Sequence, residues 1–141
     1  MKTEVSAGRP AGAAGDSRAL KGKRGVQRLR NAIGYSIAGL RAAWHNEDAF
    51  RQEVILAAIM VPVAIGLPVT LVEKLLLIGA VVAVLVVELL NSAIEVAVDR
   101  DSYRIDSLGK RAKDIGSAAV MLSLLTAGGV WVAILVARFS G

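Results

Sequence analysis

The run LLLIGAVVAVLVVELLNSAIEVAV, residues 75–98, is apolar enough and long enough to cross a bilayer, yet carries Glu88, Asn91 and Glu95 in its second half. At about 100° per residue the positions Glu88, Asn91, Glu95 and Asp99 fall on one narrow stripe of a helix. A carboxylate inside a bilayer costs roughly 2.5–3.5 kcal/mol on insertion scales, so intramembrane acids face a site, a partner or water. Two of them on one face point to chemistry at the membrane. Glu88 and Glu95 are about 10 Å apart along a helix, so one lies deeper than the other. The deeper, more desolvated carboxylate suits a base for a lipid hydroxyl near neutral pH, and the shallower one can meet a cation.

Two further runs flank this one, residues 54–72 and 115–137, and each can span a core of about 30 Å at about 1.5 Å per residue. With 55% hydrophobic residues and a mean hydropathy of +0.55 in 141 residues, the chain is predicted to be a one-domain, all-α membrane protein with three transmembrane helices. Ten of the 17 Lys and Arg precede the first run, five lie between the second and third, and Lys74 and Arg138 are the others. The positive-inside rule then places the N-terminus and the loop 99–114 in the cytoplasm, with the Glu73-Lys74 turn and the C-terminus outside. The net charge of +5 is accordingly a topology signal, and nucleic-acid binding is disfavoured because the basic residues flank apolar spans. Cysteine is absent, which excludes disulfides and argues against a structural zinc site.

Residues 1–25 lack an apolar signal-peptide core and have little to bury, so they are predicted to form a disordered basic cytoplasmic tail. From about 26 to 45 the pattern changes. Val26, Leu29, Ile33, Ile37, Leu40 and Trp44 fall within about 80° on a helical wheel and predict an amphipathic helix on the membrane surface. Pro62, Gly66 and Pro68 predict a kinked or broken first span, and Trp44 and Trp131 read as interfacial belts. Gly116, Ser117, Gly128 and Gly129 permit tight packing of the third span. Magnesium takes oxygen ligands, often one or two carboxylates with substrate phosphates, and Glu47, just before the first span, is a second carboxylate candidate beside Glu95. Lys113 and Asp114 stand at the corresponding edge of the third span.

Five ordered segments carry a resemblance: Ala32-Ile33-Gly34-Tyr35-Ser36, Gly39-Leu40-Arg41-Ala42-Ala43-Trp44, Asn46-Glu47-Asp48-Ala49-Phe50-Arg51-Gln52-Glu53, Glu88 to Glu95 with Asp99-Arg100, and Arg111-Ala112-Lys113-Asp114-Ile115-Gly116-Ser117-Ala118-Ala119-Val120. Together they resemble the small bacterial integral-membrane diacylglycerol kinases, from about Arg28 to Phe139. The resemblance implies phosphoryl transfer from ATP, with Mg2+, to the free hydroxyl of diacylglycerol. It implies a homotrimer of three-span protomers in the bacterial cytoplasmic (inner) membrane. Carried over by position, it makes Glu88 the proton acceptor, supported by Asn91, and gives Glu47 and Glu95 the divalent cation and its ATP. Arg28, Tyr35, Lys113 and Asp114 are implied in nucleotide binding, with Arg104 to Asp106 as a weaker match. Arg28, Ser36, Glu53, Glu88 and Ser117 are implied in contacts to the lipid substrate. Undecaprenol, phosphorylated by related members, would need the same base and metal. A proton-coupled transporter using Glu88 as its ion site is the reading from another class, and it has no need of Glu47, Glu95 and the Lys113-Asp114 pair together.

Overall fold

A computed structural model describes residues 16–100 and 107–140, with side chains from Gly25 onward. It is built from four helices: α1 (Asp16–Asn46), α2 (Asp48–Gly66), α3 (Leu71–Arg100) and α4 (Ser107–Phe139). Most of the tail expected over 1–25, and the expected nucleotide contacts at Arg104 to Asp106, lie outside the described residues. The boundary between the chain's two compact units falls within α1, between Leu40 and Arg41.

The first unit holds the part of α1 up to Leu40. Helix α1 opens ahead of Val26, where the apolar stripe begins. Every side chain from Gly25 to Leu40 is exposed, the stripe of Val26, Leu29, Ile33 and Ile37 included. An apolar stripe on a helix that buries none of it within its own unit requires an apolar surface elsewhere.

In the second unit α2, α3 and α4 are each long and apolar enough to cross a membrane. Helix α3 is central: it packs most extensively on α4 and also on α2. The core consists of Ala57 and Ala64 from α2, Leu77 and Val81 from α3, and Trp131 from α4. Alanines on α2 let the backbones come close, and Leu77, fully buried, fills the space between them. Trp131 is buried, and its indole Nε1 donates to the Leu77 carbonyl at 3.2 Å. It therefore locks α4 to α3, where the sequence had suggested an interfacial belt.

Helix α2 runs unbroken through Pro62 and stops at Gly66, short of the Val72 at which the apolar run ends. Pro68 cannot donate a backbone hydrogen bond and biases Leu67 toward extended backbone, which Leu67 adopts at φ −63°, ψ 140°. The chain then turns into α3 through a reciprocal cap. Thr70 donates from its backbone N and its Oγ1 to Glu73 Oε2, both at 2.7 Å, while the Glu73 backbone N donates to Thr70 Oγ1 at 3.3 Å. This is a capping box, with Thr70 before the first turn and Glu73 three residues on. Lys74 Nζ donates to the Ile65 carbonyl at 2.6 Å, satisfying an orphan acceptor at the end of α2. The two charges that look like a topology marker in the sequence thus tie the α2–α3 hairpin shut.

Candidate active site

The other end of the bundle is arranged differently. On α3, Glu88 is only 4% exposed, Asn91 8% and Ser92 6%, whereas Glu95 is half-buried and Asp99 exposed. The stripe read from the sequence is therefore graded, dry at Glu88 and wet at Asp99. Ser92, four residues after Glu88, belongs to the buried part. Sequence reasoning passed over it, although its i, i+4 spacing to Glu88 was available as a signal.

Asn91 Nδ2 donates to Glu95 Oε1 at 3.0 Å. Because a carboxylate only accepts, the amide must turn its NH2 toward Glu95 and its oxygen elsewhere. That oxygen, Asn91 Oδ1, is buried without a hydrogen-bond partner among the described residues, and so are Ser92 Oγ and Glu53 Oε2. Buried polar atoms are nearly always paired, and leaving one unpaired costs about 1–3 kcal/mol. Three in one region mark a place kept for something other than packing.

Glu53 comes from the first turns of α2 and stands within electrostatic reach of Glu88, which in turn stands within reach of Glu95 and Glu47. Glu53 also borders a cavity of about 170 Å³ between α2, α3 and α4, whose other walls include Leu56, Met60, Val84, Leu85 and Leu124. An apolar recess with a carboxylate at its rim can take a hydrocarbon segment while its polar end stays near the acids.

Glu47 is held by its surroundings. It precedes α2 with extended backbone, φ −114° and ψ 111°, and its side chain makes no capping hydrogen bond. Its backbone N–H donates to Ala43 O at 2.9 Å. Arg51 donates to the carbonyls of Trp44 at 3.1 Å and His45 at 3.2 Å and pairs with Asp48. That guanidinium closes the end of α1 and fixes the corner from which the Glu47 carboxylate projects.

Lys113, on the first turns of α4, donates from Nζ to Asp99 Oδ1 at 2.6 Å and stands within electrostatic reach of Glu95. Its partner here is a residue that the sequence placed on the polar stripe but gave no role. Asp114 and Ser117 are exposed on α4. Arg28, Tyr35 and Ser36 belong to the first unit, where all three are exposed and the Ser36 hydroxyl donates to Ala32 O at 3.0 Å. The second unit thus brings together Glu47, Glu53, Glu88, Asn91, Glu95 and Lys113 of the residues expected in the site.

Among the described residues no three ligating side chains gather as a complete metal site. The acids present fit a cation that draws only one or two ligands from the protein and the rest from substrate phosphates and water, which is the habit of magnesium. Glu47 and Glu95 are both half-buried and within electrostatic reach of Glu88, as is Glu53, one of whose oxygens is fully buried.

A hairpin of apolar helices with a buried acid, an amide and flanking carboxylates defines an integral-membrane protein with an acidic site built into its central helix. Residues 34–135 match the family model described as prokaryotic diacylglycerol kinase. The chain is 47% identical over 116 residues to a diacylglycerol kinase of Pseudomonas aeruginosa, covering 82% of this chain and 94% of that protein. It is 46% identical over 115 residues to a diacylglycerol kinase of Escherichia coli K12, with the same coverage. It is 45% identical over 111 residues to one of Haemophilus influenzae, covering 79% of this chain and 94% of the relative. The chain belongs to the prokaryotic diacylglycerol kinase family. The family match begins at Gly34 and so includes Tyr35 and Ser36 but stops short of Arg28.

Proposed function

We propose that this protein phosphorylates diacylglycerol at the membrane, transferring the γ-phosphoryl group of ATP to the free hydroxyl and releasing phosphatidic acid and ADP. The observation that carries the reading is the buried Glu88 on a membrane-spanning helix, in a chain that belongs to the prokaryotic diacylglycerol kinase family. In the transfer, the substrate hydroxyl oxygen forms a bond to the γ-phosphorus while the bond from that phosphorus to the β–γ bridging oxygen breaks. Glu88 takes the hydroxyl proton. Burial suits this role because it keeps the carboxylate and the reacting hydroxyl away from bulk water. Asn91 keeps Glu95 oriented by its hydrogen bond, and Glu53 lies where the lipid's polar end meets the apolar recess.

Glu47 and Glu95 would hold magnesium together with the nucleotide phosphates, and the ion when bound offsets negative charge on the group in transfer. Lys113 and Asp114, with Arg28 and Tyr35, are assigned to the nucleotide; Arg28, Ser36 and Ser117 are assigned to the lipid. The protein sits in the bacterial inner membrane as a homotrimer, its N-terminus and the loop 99–114 cytoplasmic and its C-terminus outside. The bias of Lys and Arg toward those two segments supports the orientation. The apolar stripe of α1 supports a helix lying on the cytoplasmic surface of the bilayer.

The test is transfer of labelled γ-phosphate by purified protein in mixed micelles, with dioleoylglycerol in one arm and undecaprenol in the other, with and without magnesium. Magnesium-dependent labelling of dioleoylglycerol is expected. Labelling of undecaprenol alone would reassign the lipid, and no labelling of either would refute the enzymatic reading.

A further inference from the structure

The contact between α3 and α4 has an antiparallel register that is visible at its glycines. A Cβ built at Gly109 would come within 3.0 Å of Val98 Cγ1, and one built at Gly116 would overlap Asn91 Oδ1. The two glycines are seven residues apart on α4 and the residues they face are seven apart on α3, the repeat of a long helix–helix seam. The consequences differ at the two places. Opposite Gly109 stands a methyl group. Opposite Gly116 stands the oxygen of an amide that cannot turn without losing its bond to Glu95, because only its NH2 can serve that carboxylate. Gly116 is itself buried, and its added Cβ would also come within 3.3 Å of Asn91 Cγ. A methyl there would have to displace the amide oxygen, and moving that oxygen turns the amide and so disturbs its bond to Glu95.

We propose that Gly116 is a positioning residue for the site: its missing side chain lets the Asn91 amide stand between α3 and α4 with its NH2 on Glu95. In doing so it holds the Glu95 carboxylate in the orientation from which it takes cation and nucleotide. This rests on the reading of Glu95 as a metal-binding carboxylate and extends it by two residues, to Asn91, whose amide orients the carboxylate, and to Gly116, whose missing side chain leaves the gap that houses the amide. Partners of this kind, one step removed from the ion, typically set its affinity by about 10–100-fold.

Binding without turnover provides the test. Full-length protein in micelles is titrated with magnesium in the presence of a fluorescent, non-hydrolysable ATP analogue, and the magnesium midpoint is read for Glu95→Ala, Asn91→Ala, Gly116→Ala, Gly109→Ala and the double variant Asn91→Ala/Gly116→Ala. Gly116→Ala is expected to raise the midpoint about as much as Asn91→Ala does, by roughly 10-fold or more. The double variant is expected to match Asn91→Ala, because the added methyl has nothing left to displace. Gly109→Ala, which tightens the same seam against an apolar group, is expected to leave the midpoint alone. A wild-type midpoint in Gly116→Ala or in Asn91→Ala, with Glu95→Ala shifted, overturns the inference and leaves the metal reading standing. A wild-type midpoint in Glu95→Ala removes both. Should Gly116→Ala fail to fold, the comparison of Asn91→Ala with the double variant decides alone: any further rise in the midpoint on adding the methyl sinks the proposal.

Discussion

The two ends of the helical bundle treat their polar groups in opposite ways. At the α2–α3 turn, Thr70 and Glu73 satisfy each other, Lys74 satisfies Ile65 O, and Trp131 closes on Leu77 O. At the other end Asn91 Oδ1, Ser92 Oγ and Glu53 Oε2 are buried with no partner among the described residues, around a carboxylate that is nearly dry. Closed hydrogen bonding is what a structural corner needs. Unfilled hydrogen bonding at the opposite end costs stability, and it fits the proposal that substrate completes a site there. The comparison also separates charge that orients the chain from charge that acts: Glu73 and Lys74 are explained by contacts within the hairpin, and Glu88 is not.

The sharpest way to break this contrast is Glu88→Gln. The amide is close in shape and keeps the packing of α3 but cannot accept the hydroxyl proton. Turnover is expected to fall by about 10² to 10⁴, with ATP-analogue binding and thermal unfolding near wild type. Activity within a few fold of wild type would remove Glu88 from the reaction and return it to the class of buried structural acids.

Next in size are Glu47→Ala and Glu95→Ala. Each takes one carboxylate from the proposed cation, so both should raise the magnesium concentration needed for half-maximal rate, by about 10-fold or more. They also sharpen the comparison in space. Glu47 reaches the site from the corner closed by Arg51, and Glu95 from the α3–α4 seam. Unchanged magnesium dependence in one variant would confine the cation to the other side.

The three spans and the polar stripe with Glu88 and Glu95 could be read from the sequence because each depends on local pattern: long apolar runs, helical spacing, and acids where lipid should be. Family motifs added roles that spacing alone left open, as for Asn91. What could not be read depends on pairing between helices. Nothing in the order of residues says that Asp99 takes Lys113, that Trp131 turns inward to Leu77 instead of outward to the lipid interface, or that Gly116, alone of the glycines on α4, faces an amide. The capping box at Thr70 and Glu73 was legible as a motif, but the end of the apolar run at Val72 hid the earlier end of α2 at Gly66. Hydropathy follows side chains, whereas the helix ended where the backbone around Pro68 required.

A smaller effect is expected at Lys113, which belongs to the open end yet is already paired. With Asp99 61% exposed, the bond between them is a solvated ion pair that contributes little to stability, so ATP phosphates can compete for the lysine. Lys113→Ala should raise the ATP Michaelis constant several-fold, and Lys113→Arg should restore it poorly because a planar fork does not replace a compact ammonium. Asp99→Asn should leave that constant unchanged or lower it, by freeing the lysine. If all three variants instead show wild-type ATP kinetics, Lys113 serves Asp99 and the orientation of the chain alone.

The smallest effect lies at the closed end and is the control for the whole contrast. Trp131→Phe keeps an aromatic ring in the core with Ala57, Ala64 and Leu77 but removes the indole N–H that bonds Leu77 O. That carbonyl sits inside α3, where the helix supplies its own backbone donor, so no buried acceptor is orphaned by the change. The loss is therefore the net worth of one hydrogen bond between membrane helices, about 0.5–1.5 kcal/mol. A small drop in the unfolding midpoint in detergent is expected, with turnover, magnesium requirement and ATP Michaelis constant all unchanged. A shift in the magnesium requirement would mean that the two ends of α3 are mechanically coupled, and that the closed end helps set the geometry of the open one.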